Sequence, residues 1–286
     1  MHKIRLKETL MKVHIMTDLE GPSGVNGRSD GIGNRIINPE IASKLLTEEV
    51  NACCEGLIEG GADEIVVWDG HGGSNSIDIT RLHPAASLGT LGGDLAPVCH
   101  YQGCAAAVQI GAHAMQGVSD GYLNHSFNSH GTSEIRLNGE PVGEIGIGIL
   151  LAAFFGIPSI LVSGDAAACR EASAFAGPGL RTVTTKHGLS RYTVVNRPPE
   201  EVRRELRAAA CQALKNLKNI PVKKIDPPYE MVYRLMCPNQ ADAFEKAGAE
   251  RLDPQTVVLR SDNIVDLWAQ RNGWAPGVHN RKFAIQ

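Results

Sequence analysis

The hydrophobic positions of this chain keep two rhythms that alternate through its first two-thirds. Short, nearly continuous apolar runs recur at Lys12–Thr17 (KVHIMT), Glu64–Trp68 (EIVVW), Val108–Gly111 (VQIG) and Ser159–Ser163 (SILVS). Their length and β-branched content predict buried strands. Between them, apolar residues return at helical spacing. Ile41, Leu45, Leu46, Val50, Cys54, Leu57 and Ile58 mark a helix opened by Asn38-Pro39, with Asn38 as N-cap, and closed by Gly60-Gly61. A second helix is predicted from near Gly143 to Phe155 and a third over 165–174. Strand, helix and strand in this order imply parallel βαβ units. Thr132–Leu137 and Glu140–Val142 flank Asn138-Gly139, the two-residue signal of a type I′ hairpin.

The pattern changes after about residue 190. Arg197-Pro198-Pro199-Glu200-Glu201 opens a charged amphipathic helix to about Leu217, and a Lys/Pro-rich linker follows over 221–228. A strand (229–235), a helix (240–247), a strand (255–260) and a helix (263–270) complete the chain. The expected architecture is α/β: a mostly parallel central sheet with flanking helices over 1–195, plus a smaller C-terminal α+β lobe over 196–286. The helix at 199–217 fits either lobe. Residues 1–10 read as an alternative start or a loosely held extension ahead of the first strand.

Composition narrows the function classes. With 286 residues, a sizeable core is affordable. A net charge of -3, without any basic block, speaks against a nucleic-acid partner. The longest apolar run, around Ile145 to Ile160, is broken by Gly146, Gly148, Gly156 and Pro158, so no membrane span is expected. The N-terminus MHKIRLKETL lacks the apolar core of a secretory signal. Seven cysteines, an odd number without C-x-x-C spacing, argue against a disulfide framework or a cysteine zinc site. Reduced cysteines in a cytoplasmic protein fit better.

Candidate chemistry gathers where the predicted strands end, the place where open α/β sheets bind ligands. The first strand ends in Asp18-Leu19-Glu20, the second in Asp69-Gly70-His71 and the third in His113, while Glu144 opens the helix after the hairpin. Four separate elements thus deliver carboxylates and imidazoles, donors suited to divalent zinc or manganese. Two residues apart in extended chain, Asp18 and Glu20 share a side, and Gly21 lets the backbone turn away at once. Taken singly, each has an ordinary reading: a solvated acid pair, a tight-turn histidine, a structural histidine at a strand end. Their shared placement is the case for a site. Asp69 is either an orienter of an imidazole or a turn cap, and His125 and His130 lie in a polar stretch nearby. Phosphate-loop, dinucleotide and H-E-x-x-H signatures are absent.

Taken in order, the motifs resemble the zinc-dependent D-aminopeptidase family. The stretches that carry the likeness are Thr17-Asp18-Leu19-Glu20-Gly21, Trp68-Asp69-Gly70-His71, Gly111-Ala112-His113-Ala114, Asn124-His125-Ser126 and Pro141-Val142-Gly143-Glu144-Ile145-Gly146. Val162-Ser163-Gly164-Asp165 and Lys186-His187-Gly188-Leu189-Ser190-Arg191 extend it across most of 11–195. The resemblance implies that Asp18, Glu20, His71, His113 and Glu144 ligate two zinc ions per subunit, with His125 as the catalytic residue. Asp18 is then the candidate bridge between the metals. The resemblance also implies a large homo-oligomer, a decamer of two stacked pentamers. The loop 21–38 and the stretch 72–76 depart from the family pattern, which touches substrate choice more than chemistry. The leading expectation is a metal-dependent aminopeptidase acting on short peptides, with D-residues at the amino end as one option. A related hydrolase of a non-peptide amide, and a metal-binding α/β protein without turnover, are the alternatives.

Overall fold

The strand Lys12–Thr17 (β1) is buried along nearly its whole length, as a continuous apolar run requires of a central parallel strand. In the computed structural model, which describes residues 10–72, 75–89, 98–274 and 277, β1 is followed by a small ribbon, Gly27–Ser29 (β2) with Asn34–Ile36 (β3). Next come the helix Pro39–Gly60 (α1) and the strand Glu64–Asp69 (β4). Ala86–Gly89 (β5) and Ala106–Ala112 (β6) follow, then the hairpin Thr132–Leu137 (β7) and Glu140–Pro141 (β8). Glu144–Phe154 (α2), Ser159–Asp165 (β9), Ala166–Ala176 (α3), Arg181–Ser190 (β10) and Thr193–Asn196 (β11) come next. Pro199–Lys215 (α4), Tyr229–Leu235 (β12), Pro238–Lys246 (α5), Glu250–Asp253 (β13), Thr256–Ser261 (β14) and Ile264–Arg271 (α6) complete the described elements.

Seven strands form one sheet in the order β11-β10-β9-β6-β1-β4-β5, parallel except for β11 at the edge. β1 sits between β4 and β6, with Thr17 opposite Asp69 on one side and Ile110 on the other. The predicted strand ends therefore stand side by side along one rim. One face is covered by α1 and α4, which pack on each other over Val13, Ile15, Leu46, Leu57, Val67 and Leu206. The helix at 199–217, assignable to either lobe from sequence, thus lies on the parallel sheet.

A second, antiparallel sheet runs β13-β14-β12-β7-β8. Its apolar face and the helices α2 and α6 enclose a separate core of Ile135, Leu150, Met231, Tyr233, Val257 and Leu267. The hairpin β7–β8 therefore pairs with β12, across the position of residue 195. The two-lobe division at 195 stands as a proposal, one in which the smaller lobe borrows this hairpin. The hairpin turn is type I′ in character, with φ of 51° at Asn138 and 87° at Gly139.

Some elements differ from expectation. Asn38 stands at the start of α1, yet its side chain makes no capping bond; it takes a left-handed conformation (φ 53°), and Pro39 begins the helix. Strands β2, β3, β5, β11 and β13 are unannounced in the sequence because they are short or lie at an edge, and the interior strand β10 because its Thr, Lys and Gly residues leave no apolar run. Among the described residues, no helix is long and apolar enough to cross a membrane.

Candidate active site

Just beyond β1 the chain runs Asp18-Leu19-Glu20-Gly21 against the end of β6. The Asp18 amide donates to the Ile110 carbonyl at 2.9 Å and the Gly21 amide to the Gly111 carbonyl at 2.8 Å. The approach is so close that only glycine fits at either contact. A Cβ on Gly21 would lie 2.3 Å from the Ala112 carbonyl oxygen. One on Gly111, where φ is +80°, would lie 2.1 Å from the Asp18 carbonyl oxygen. Gly21 is thus a packing requirement as well as a turn. This contact sets the first carboxylates beside His113, which follows β6 directly.

All six residues singled out from the sequence meet here. Asp18 Oδ1 is 3.0 Å from His71 Nδ1, and Glu20 Oε2 is 3.1 Å from the same nitrogen. Asp18 Oδ2 is 3.1 Å from His113 Nε2, and Glu144 Oε1 is 3.3 Å from it. Two three-residue groups therefore share one carboxylate, each taking one of its oxygens. Glu144 is the first residue of α2, where the positive end of the helix dipole favours a carboxylate. Its Oε1 also accepts the Phe127 amide at 2.5 Å.

Burial sharpens the electrostatics. Desolvation alone would hold the His71 imidazole low, but the Glu20 and Asp18 carboxylates override it and raise its pKa to about 11. His113 is likewise driven well above its ordinary value by Asp18 and Glu144, against the opposing effect of burial. Burial works against ionisation of Asp18 and Glu144, yet His113 keeps both below the usual carboxylate range.

The donors fit a metal better than they fit each other. Buried Glu20 Oε2 and His113 Nε2 have no partner in hydrogen-bond geometry despite their close neighbours. Ligand atoms of Asp18, Glu20 and His113 all lie within 4.8 Å of one another, as do those of His113, His125 and Glu144. His113 Nδ1 faces the Ala114 carbonyl at 3.0 Å, which holds a proton on that nitrogen and leaves Nε2 as the one a metal would take. A carboxylate and imidazole set of this kind suits zinc.

His125 stands slightly apart, its Nε2 3.8 Å from Glu144 Oε1 and 4.0 Å from Glu20 Oε1, its ring stacked on His113 at 3.9 Å. Its Nδ1 faces the Leu123 carbonyl at 2.9 Å. Asn34 Nδ2 lies 3.3 Å from the same nitrogen, and Nε2 is the ring nitrogen that faces the carboxylates. The loop is strained to hold this pose: Leu123 (φ 50°) and Phe127 (φ 61°) flank His125 in the left-handed region, at a cost on the order of 1–3 kcal/mol each. Asn124 Nδ2 bonds to the carbonyls of Val118 and Gly121, and Asn34 Nδ2 to that of Leu123, which offsets the strain.

Other residues prove structural. Asp69 takes the capping alternative: its Oδ2 accepts the Asn75 and Ser76 amides at 2.8 and 2.7 Å. His130 pairs with Asp30 at 2.7 Å. Lys186, buried within the Lys186–Arg191 stretch, donates to the carbonyls of Glu20 (2.8 Å) and Val25 (2.7 Å) and so fixes the backbone of Glu20.

Asp18, Glu20, His71, His125 and Glu144 line a cleft of about 580 Å³. Met16, Trp68, Phe127, Leu151, Trp268 and Trp274 make its apolar wall, with Arg271 and Asn272 among them. Nothing in the sequence drew α6 toward the site. Its apolar period reads as core packing, and only the fold brings its end to the cleft.

An open parallel sheet with clustered carboxylates and imidazoles at its carboxyl rim defines an enzyme of the α/β class with a site built for a divalent metal. The D-aminopeptidase (peptidase M55) family model matches residues 11–271. A D-aminopeptidase of Bacillus subtilis (strain 168) is 30% identical over 265 residues, spanning 91% of this chain and 92% of the relative. The solved structure of the zinc-dependent D-aminopeptidase from Bacillus subtilis, described as a self-compartmentalizing protease, superposes with a TM-score of 0.83. It covers 96% of this chain and 100% of its own at 24% identity, which establishes the shared fold. The chain belongs to the D-aminopeptidase family.

Proposed function

We propose that this enzyme is a zinc aminopeptidase that removes the N-terminal residue, a D-amino acid, from short peptides. Asp18, Glu20, His71, His113 and Glu144 hold two zinc ions per subunit in this reading, and His125 is the catalytic residue. The observation that carries it is the division of Asp18, one oxygen toward His71 and the other toward His113. Zinc bound there supplies Lewis acidity and a water whose pKa falls toward about 7.

The chain's own groups do the rest. Glu20 and Glu144 place negative charge where a peptide's terminal ammonium enters, and Asp18 spans both halves of the site. His125, whose Nε2 faces the carboxylate cluster, takes a proton from the attacking water and returns one to the leaving amine. The apolar wall lies beside the cluster in the same cleft, which has the size of a small-ligand pocket. Family membership supports the preference for D-residues.

The self-compartmentalizing character of the Bacillus subtilis structure supports a homo-oligomer, a decamer of two stacked pentamers in our reading. Six free cysteines among the described residues support a reducing, cytoplasmic setting.

Matched dipeptides with L- or D-residues at the amino end, together with simple amides, test the proposal when hydrolysis and zinc content are measured on one sample. Turnover of D-terminal dipeptides by zinc-loaded protein is expected. Zinc-loaded protein that cleaves none of them contradicts it.

A further inference from the structure

Where α6 lines the cleft, the cation Arg271 has no anion partner among the described residues. Arg271 is half-buried, and its guanidinium carbon lies 4.2 Å from the Phe127 ring centroid and 4.9 Å from that of Trp268. Nη1 donates to Asn272 Oδ1 at 3.0 Å, while Nε is buried without a hydrogen-bond partner. The Tyr233 hydroxyl also faces it, although that phenol is raised to about 12 by burial and donates to Met231 Sδ. Among the described residues no carboxylate lies within ion-pair distance of Arg271. Arg203 shows the ordinary alternative, bonding to Glu48 at 2.7 Å.

A guanidinium packed against two touching aromatic rings, Phe127 and Trp268 with centroids 4.9 Å apart, is restricted in its orientations, and its fork is suited to a planar carboxylate. Phe127 joins this end of the cleft to the other. Its amide donates to Glu144 while its ring stacks against Arg271, so one phenylalanine separates the carboxylate–imidazole cluster from the free cation. A peptide advances roughly 3.3–3.6 Å per residue. Two or three residues thus bridge a gap on the scale of one aromatic residue and a stacked guanidinium.

We propose that Arg271 is a specificity-determining residue that binds the free α-carboxylate of a di- or tripeptide whose amino end lies at the Asp18–Glu144 cluster. This rests on the peptide reading of the cleft. Substrate length is then set at both ends, by amine at the cluster and by carboxylate at Arg271. Longer peptides and C-terminal amides forgo the second contact.

The test is calorimetric binding of D-alanyl-D-alanine and its C-terminal amide to zinc-loaded His125→Ala protein, with and without Arg271→Met. The free acid is expected to bind about 10- to 100-fold more tightly than the amide, the range of a charge-assisted contact. Arg271→Met should erase that difference, and Arg271→Lys should keep part of it. Equal affinities in the parent, no binding of either peptide, or a difference that survives Arg271→Met overturns the anchor. Kinetics on the otherwise unchanged enzyme should show the same preference in KM with kcat little altered. Selective binding without any hydrolysis by the unchanged enzyme leaves the anchor standing and removes the peptidase reading.

Discussion

Asp18 and His113 meet at 3.1 Å, Oδ2 to Nε2, while the other oxygen of Asp18 is committed to His71 at 3.0 Å. The pair is reached from adjacent strand ends, locked by the Gly21–Gly111 contact, and it makes Asp18 common to both halves of the site. Loss of Asp18 should therefore cost more metal than loss of any other ligand. Asp18→Ala is expected to empty both positions, whereas His71→Ala and Glu144→Ala should each leave about one zinc, since a three-ligand site rarely survives on two. Metal content by mass spectrometry checks this. Equal losses in all three variants would mean that the sites are not joined through Asp18.

Proton release is a second consequence. His71 is protonated in the metal-free cluster, with its pKa at about 11, and His113 is also held well above its ordinary value. Both imidazoles must be neutral to bind zinc, so binding at pH 7 should release about two protons and weaken as pH falls. Calorimetry in buffers of different ionisation enthalpy measures the number. A buffer-independent enthalpy contradicts the assignment.

His125 separates chemistry from metal binding. His125→Ala should lower kcat by about 10²–10⁴-fold while zinc content stays at the parent level, if its role is general acid–base catalysis. A variant that instead loses zinc would make His125 a ligand, consistent with its place beside His113 and Glu144.

The glycine contact is testable through stability. Gly111→Ala forces a Cβ to 2.1 Å from the Asp18 carbonyl oxygen at a positive φ. A loss of roughly 1–3 kcal/mol is expected from overpacking, with reduced zinc content because Asp18 is displaced. Denaturant unfolding beside metal analysis reads both effects. An unchanged midpoint would show that the backbone yields there.

His14 gives a pH-dependent expectation. It lies buried in β1, neither ring nitrogen has a hydrogen-bond partner, and its ring packs at a tilt against that of Tyr101, centroids 4.2 Å apart. Burial lowers its pKa to about 3 from 6.5. Between those values the unfolded chain binds the extra proton, so folding stability falls as pH drops through 6.5 toward 3. His14→Phe should remove that part of the acid sensitivity, about 1.4 kcal/mol per pH unit. Urea midpoints of metal-free protein at pH 7 and 5 compare the two, and identical slopes contradict it.

The sequence already carried the parallel sheet and most of the residues that meet in the candidate site. Apolar runs located β1, β4, β6 and β9, and their polar ends marked Asp18, Glu20, His71 and His113. Glu144 needed the family likeness, because a glutamate at a helix start is commonplace until the fold turns it toward His113. Edge strands such as β11 were hidden, since pairing at one edge asks little of side-chain hydrophobicity. The pairing of β7 with β12 was also hidden, since the hairpin signal says nothing about its partner. Arg271 and Trp268 look like an ordinary helix end, and become cleft residues only when α6 packs beside α2.

One titration reaches the central claim. Metal-free protein is given zinc in steps while release of the N-terminal residue from a D-terminal dipeptide is followed. Activity that rises from zero and saturates near two equivalents per chain is the expected result. Activity without metal, or saturation at one equivalent, would contradict the two-zinc site built around Asp18.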